Sequence, residues 1–130
     1  KKHTVIGVDL VRNYLNKAKA QNCYDGLVQA HLSYLPFRDG CCDTILAIEV
    51  IEHLTFEEGK KFLRRLRGLG RQLVLTTPKE FVPLNFGQGH AETHKSCWNR
   101  EQILSFLSEK QVRSCLTEAQ PINMTFKKNN

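Results

Sequence analysis

Asp43-Thr44-Ile45-Leu46-Ala47-Ile48-Glu49-Val50-Ile51-Glu52-His53-Leu54 changes character at its middle. Its first half is the short, nearly continuous apolar run that a strand buried in a parallel sheet requires. Its second half sets two acids and a histidine directly after that strand. Thr55-Phe56-Glu57-Glu58 then reads as a capping box, in which a hydroxyl and a carboxylate satisfy backbone N–H groups reciprocally. On the helix it opens, Phe62, Leu63, Leu66 and Leu69 form one apolar stripe, with Gly68 and Gly70 expected to end it.

Upstream, Thr4-Val5-Ile6-Gly7-Val8 is another buried strand and delivers Asp9 at its carboxyl end. Val11, Tyr14, Leu15 and Ala18 recur at helical spacing, Asn22 to Gly26 stops that helix, and Leu27 to Ala30 is a second strand. Leu35-Pro36-Phe37-Arg38-Asp39-Gly40 reads as a loop. Downstream, Gln72 to Thr76 is a strand closed by Pro78, followed by a long connection from Lys79 to Trp98 that is a candidate functional segment. Asn99 with Gln102 caps a further helix carrying Ile103, Leu104 and Leu107, and Val112 to Leu116 and Ile122 to Phe126 complete the strands. This alternation predicts an α/β fold, a three-layer α/β/α sandwich whose first part is parallel, as a single domain over residues 1–130.

With 41% apolar and 25% charged residues in 130, the chain suits one soluble domain with a core of its own. It contains no apolar run long enough to span a bilayer. Its five cysteines form no C-x-x-C pair, which argues for a reduced, cytoplasmic setting, and Cys41-Cys42 reads as two small apolar residues entering a strand. The net charge of +6 raises the question of a polyanionic partner. Lys60, Lys61, Arg64 and Arg67 nevertheless fall opposite the apolar stripe with no aromatics interleaved, as on a solvated helix face.

In open α/β sheets ligands bind beyond the carboxyl ends of the strands, so Asp9, His31, Glu49 and Pro78 take precedence. A carboxylate there can accept hydrogen bonds from both hydroxyls of a ribose, although Asp9 alone serves equally well as a helix cap. The order Val8-Asp9-Leu10, Leu35-Pro36-Phe37-Arg38-Asp39-Gly40-Cys41-Cys42-Asp43, Glu49-Val50-Ile51-Glu52-His53-Leu54 and Thr76-Thr77-Pro78 resembles the class I S-adenosylmethionine-dependent methyltransferases over about Thr4 to Val112. The resemblance implies a Rossmann-like fold and S-adenosyl-L-methionine as cofactor. Asp9 would bind its ribose, Leu10 would pack on its adenine, and Glu49 and Val50 would lie near the methyl group. His31 and Leu32 take the positions where the family has an acid and an apolar neighbour beside the adenine. Glu52 and His53 are the candidate bases, with His90 and His94 as outside choices.

Two departures accompany the resemblance. His31 replaces the acid, so only one ring nitrogen can accept from an adenine amino group. The family's first strand and its G-x-G-x-G loop are absent from the sequence, which leaves the strands beginning at Thr4 and Asp43 without their shared neighbour in the family order 3-2-1-4-5-7-6. Either residues upstream of Lys1 supply it, another chain does, or the two strands pair directly; left alone they would present open edges, a route to homo-oligomers. A small-molecule acceptor is the first expectation, RNA the second, and a catalytically inactive binding module the rival. Glu49, Glu52, His53 and His94 also resemble the positions at which small-RNA 2′-O-methyltransferases hold a divalent ion. The broader group with the L-P-F-x-D-G loop uses none, so no metal ligand is assigned.

Overall fold

The computed structural model describes residues 3–78, 93–107, 112–114 and 124–127. They belong to two compact units, Lys1–Pro36 and Phe37–Asn130. In the first, strand Ile6–Asp9 (β1) leads into helix Arg12–Ala20 (α1) and strand Gly26–Gln29 (β2). The two strands are parallel, with Ile6 opposite Gly26 and Asp9 opposite Gln29, and α1 is the crossover that parallel pairing needs. Their carboxyl ends therefore finish at one margin. The N-cap residue of α1, Val11, contributes no side-chain cap; instead Asp9 Oδ1 accepts the Val11 N–H at 2.8 Å, which puts a carboxylate at the positive end of the helix dipole.

The second unit holds strand Cys42–Ile48 (β3), helix Phe56–Leu69 (α2), strand Gly70–Thr76 (β4), helix Arg100–Ser105 (α3) and strands Val112–Ser114 (β5) and Met124–Lys127 (β6). Their order is β3-β4-β6-β5; β3 and β4 run parallel, and β6 is antiparallel to both neighbours. Both capping boxes form as the sequence predicts, Thr55 with Glu58 on α2 and Asn99 with Gln102 on α3. The predicted stripe of α2 is buried in full, together with Ala47 of β3, Leu73 and Leu75 of β4, Trp98, Ile103 and Leu107. Burying that much hydrocarbon is the main term favouring the fold.

Gly68 departs from expectation: α2 runs through it to Leu69, and β4 starts at Gly70. The reason is contact with the preceding loop. The Gly68 carbonyl accepts the Gly40 N–H at 2.9 Å, and a Cβ at Gly68 would stand 3.0 Å from Asp39 Oδ1. Arg65 completes the clamp by binding the Asp39 carboxylate and the Phe37 carbonyl. The glycine thus makes room for a loop and does not end the helix.

Among the described residues β1 pairs only with β2, and β3 only with β4, in separate sheets. Leu46 and Ile48 of β3 remain 69% and 49% exposed, which is unusual for apolar residues of a parallel strand.

Cys23, Cys41 and Cys42 are free thiols. Burial pushes the Cys42 thiol up to about 11, assisted by its contact with Cys41 and by the Asp43 charge, as suits an unreactive side chain. Lys61, Arg64 and Arg67 are exposed, Lys60 pairs with Glu57, and no helix among the described residues is long and apolar enough to cross a membrane.

Trp98 packs so closely on α2 that a Cβ at Gly59 would stand 2.3 Å from its Cζ2. Gly59→Ala is accordingly expected to lower stability by about 1–3 kcal/mol, as overpacking does, despite the better helix propensity of alanine. Thermal unfolding followed by circular dichroism measures the change.

Candidate functional site

The last residue of β3, Ile48, lies opposite Thr76, the last of β4, so the residues after both strands leave the sheet together. Glu49 does so with φ of 51°, a left-handed conformation that costs a non-glycine residue about 1–3 kcal/mol unless its surroundings enforce it. Thr76 enforces it. The Glu49 N–H donates to the Thr76 carbonyl at 3.0 Å and to Thr76 Oγ1 at 3.1 Å, and that hydroxyl donates to Glu49 Oε1 at 2.9 Å. A 3₁₀ turn over Ile51–His53 follows, with Ile51 and Glu52 buried and His53 partly exposed.

Glu52 is 3% exposed and accepts a hydrogen bond from the Thr77 hydroxyl at 3.1 Å. Its carboxyl is pushed up to about 7, chiefly by burial. The Glu49 charge and a carboxyl hydrogen bond with Glu49 add to the rise, against the pull of its own backbone N–H and of Thr77. A buried acid that titrates near neutrality beside a second carboxylate has the character of a proton-transfer group.

Residues far along the chain complete this cluster. Lys95 N–H and Ser96 N–H donate to the Glu52 carbonyl at 2.8 and 3.2 Å. His94 then meets His53 edge to face, with ring centroids 4.8 Å apart, and His53 Nε2 stands 3.9 Å from Glu52 Oε1. Glu52, His53 and His94 can each turn one ligand atom into a group spanning no more than 4.8 Å, and His53 Nδ1 is buried with no hydrogen-bond partner among the described residues. One carboxylate and two imidazoles are a donor set that accommodates a divalent transition ion.

The first unit gathers the other predicted residues. Asp9 ends β1, and His31 and Leu32 follow β2 at the same margin, where the Ala30 N–H donates to the Asp9 carbonyl at 3.1 Å. The Val11 N–H donates to Asp9 Oδ1, which orients the carboxylate. Leu10 is 48% exposed, an apolar side chain set beside an acid. His31 Nδ1 accepts the Ser33 N–H at 3.1 Å and caps a 3₁₀ turn over Leu32–Tyr34, so the neutral ring carries its proton on Nε2 as a donor. A ligand beside it would meet a donor where an acid would have accepted.

Glu49, Val50, Glu52 and His53 therefore share one turn, while Asp9, Leu10, His31 and Leu32 share one margin of the other unit. His90 lies outside the described residues. Sequence reasoning quoted the Thr76-Thr77-Pro78 string and singled out Pro78 after β4, but gave no role to Thr76 and Thr77, which hold the two carboxylates. It noted the H-K-x-x-W stretch that runs from His94 to Trp98 but gave no role to Ser96 or Trp98.

Comparison with known proteins bears on this arrangement. A methyltransferase-domain family profile matches residues 1–72, a span that includes Asp9, His31 and the Glu49–His53 turn. A search of curated proteins finds no match. Among solved structures, a Pyrococcus horikoshii protein superposes with a TM-score of 0.69 at 12% identity, covering 97% of this chain and 72% of its own. A Burkholderia thailandensis 1,6-didemethyltoxoflavin N1-methyltransferase with bound S-adenosylhomocysteine gives 0.65 at 16%, covering 98% and 62%. The small-RNA methyltransferase HEN1 gives 0.70 at 19%, covering 98% of this chain but only 20% of its own. The profile match extends over more than half the sequence and the folds agree along nearly all of it: the chain belongs to the methyltransferase domain family, the class I S-adenosylmethionine-dependent methyltransferases.

Proposed function

We propose that the chain catalyses methyl transfer from S-adenosylmethionine to a small-molecule acceptor, with Glu52 as the group that takes up the acceptor's proton. The family match through both predicted clusters carries the reading. The cofactor brings a reactive methyl group on a sulfonium, so the protein's task is orientation, exclusion of water and custody of a proton. Asp9 is suited to ribose hydroxyls through its carboxylate, and exposed Leu10 to one face of an adenine, with Leu32 as a further apolar contact. His31 offers a donor to a ring nitrogen. Glu49 and Val50 are assigned to the methyl-bearing end. The bonds from Thr76 hold Glu49 in a conformation it would not adopt alone, which is preorganisation of the kind a reaction site needs. His53, 3.9 Å from Glu52, is the partner through which the proton leaves.

Transfer of radiolabelled methyl groups from S-adenosylmethionine into a panel of small nucleophiles tests the proposal. Label should enter at least one acceptor and fall by about 10²–10⁴ with Glu52→Gln, the usual contribution of a general base. If the chain binds the cofactor but labels no acceptor of any class, the inactive binding module is the better account.

A second reading, ribose methylation of RNA with a divalent ion, is favoured by the Glu52–His53–His94 group and by the similarity to HEN1. These three side chains would hold the ion, which would supply Lewis-acid polarisation of a ribose hydroxyl. Under that reading, transfer to an RNA 3′ end should depend on added Mn²⁺ and vanish with His94→Ala. Transfer unaffected by chelation removes it.

A further inference from the structure

Trp98 is completely buried, yet it lies outside every group assigned above. Its ring stacks on Phe56 at 4.5 Å and 17°, meets Phe106 edge-on at 6.4 Å, and fills the space left by the missing side chain of Gly59. A buried indole needs an acceptor for its N–H, and it finds Ser96 Oγ at 2.7 Å. That hydroxyl in turn donates to the Leu54 carbonyl at 2.7 Å and, at 3.4 Å, to the Ile51 carbonyl. Ser96 is thereby bonded to both flanks of the 3₁₀ turn that carries Glu52 and His53, and its backbone N–H to the Glu52 carbonyl at its centre. Two residues before Ser96 stands His94, its ring against His53.

We infer that Trp98 and Ser96 are positioning residues: the indole anchors segment 94–98 to the capped start of α2, and the serine hydroxyl fixes the register in which His94 reaches His53. The inference rests on the methyltransferase reading of the Glu52 turn for its consequence in turnover, but not for its geometry. The lock is rigid at both ends, since the Thr55–Glu58 capping box holds Phe56 and the Asn99–Gln102 box begins directly after Trp98. Only Lys95, Ser96 and Cys97 separate His94 from its anchor, so loss of the Ser96 hydroxyl lets the imidazole move by the ångström or so that costs reaction sites about a hundredfold at the extreme.

The test uses the whole chain with ¹³C-labelled histidine and reads the Cε1–H resonance of His53, which the His94 ring displaces through its ring current. Of the five histidines, single substitutions assign the signal. His94→Ala should shift the His53 resonance, Ser96→Ala should shift it in the same direction, and the double variant should match His94→Ala alone, because the serine acts through that imidazole. Ser96→Thr, which retains a hydroxyl, should restore the wild-type position. Trp98→Phe keeps the stacking and loses the N–H, so it should reproduce Ser96→Ala and serves in its place if that variant does not fold. Methyl transfer should fall about tenfold in kcat in Ser96→Ala with the KM for S-adenosylmethionine unchanged. A Ser96→Ala protein that is less heat-stable but keeps the wild-type His53 resonance, or a double variant whose shift is the sum of the singles, overturns the inference. Absence of methyl transfer by the wild type would instead sink the functional reading and leave the resonance result standing.

Discussion

Glu52→Gln is expected to make the protein more stable at pH 8 while depriving it of methyl transfer. In the folded chain burial holds the Glu52 carboxyl up at about 7, from an ordinary value of 4.5. A carboxyl raised in this way favours the folded state below its unfolded value, and that contribution drains away as pH climbs from 4.5 through 7. Above neutrality the native state carries an ionised carboxylate that it would hold more cheaply as the acid. The separation corresponds to about 3 kcal/mol at 1.36 kcal/mol per unit. Glutamine retains an acceptor for the Thr77 hydroxyl and carries no charge to desolvate. Urea unfolding of both proteins at pH 5 and pH 8 should therefore show the variant gaining on the wild type only at the higher pH. Activity should move the other way. Wild-type turnover should rise with pH to a plateau above about 7, as Glu52 loses its proton and becomes able to accept another, and the glutamine variant should show no such rise. Stability and activity opposed at one side chain is the expected signature of a functional group.

Trp98→Ala is the other large effect, of the opposite kind. The indole is wholly buried and bonded at its nitrogen, and its removal leaves a cavity between Phe56, Gly59 and Phe106 with the Ser96 hydroxyl short of a donor. Large-to-small changes of aromatic core residues cost about 3–5 kcal/mol. That is a large part of the whole stability of an ordinary domain, and at pH 8 it should be visible in urea as an early, broadened transition. Adding Gly59→Ala to Trp98→Ala should recover part of the loss, because the alanine methyl then enters vacated space and gains helix propensity. The same glycine change is destabilising when the tryptophan is present. This reversal of sign identifies the contact between the two positions as the cause.

The sequence discloses what depends on local chemistry. Both capping boxes, the α2 stripe and the strand pattern before Glu49 are each set by neighbours within a few residues, and each forms where the sequence indicates. Gly68 misleads because its role is tertiary: it accommodates Asp39, a contact that helix rules cannot foresee. The site divides along the same line. Asp9 and the Glu49–His53 turn are legible because they end strands, where an α/β sheet places its chemistry. Thr76, Thr77, Ser96 and Trp98 act across separations of about twenty-five to forty-five residues, and only the pairing of β3 with β4 and the return of segment 93–99 bring them to the turn. His31 shows a third case, in which the residue is found but its hydrogen-bonding sense is set by a local bond to Ser33 that spacing does not reveal.

Calorimetric titration of S-adenosylmethionine into the chain, beside its Asp9→Ala variant, puts the central claim at most direct risk. The wild type should bind one equivalent, and removal of a carboxylate that accepts from ribose hydroxyls should weaken binding about ten- to a hundredfold, in line with about 1.5–3 kcal/mol for a hydrogen bond to a charged group. No heat with the wild type, or equal affinity in the two proteins, would contradict the account.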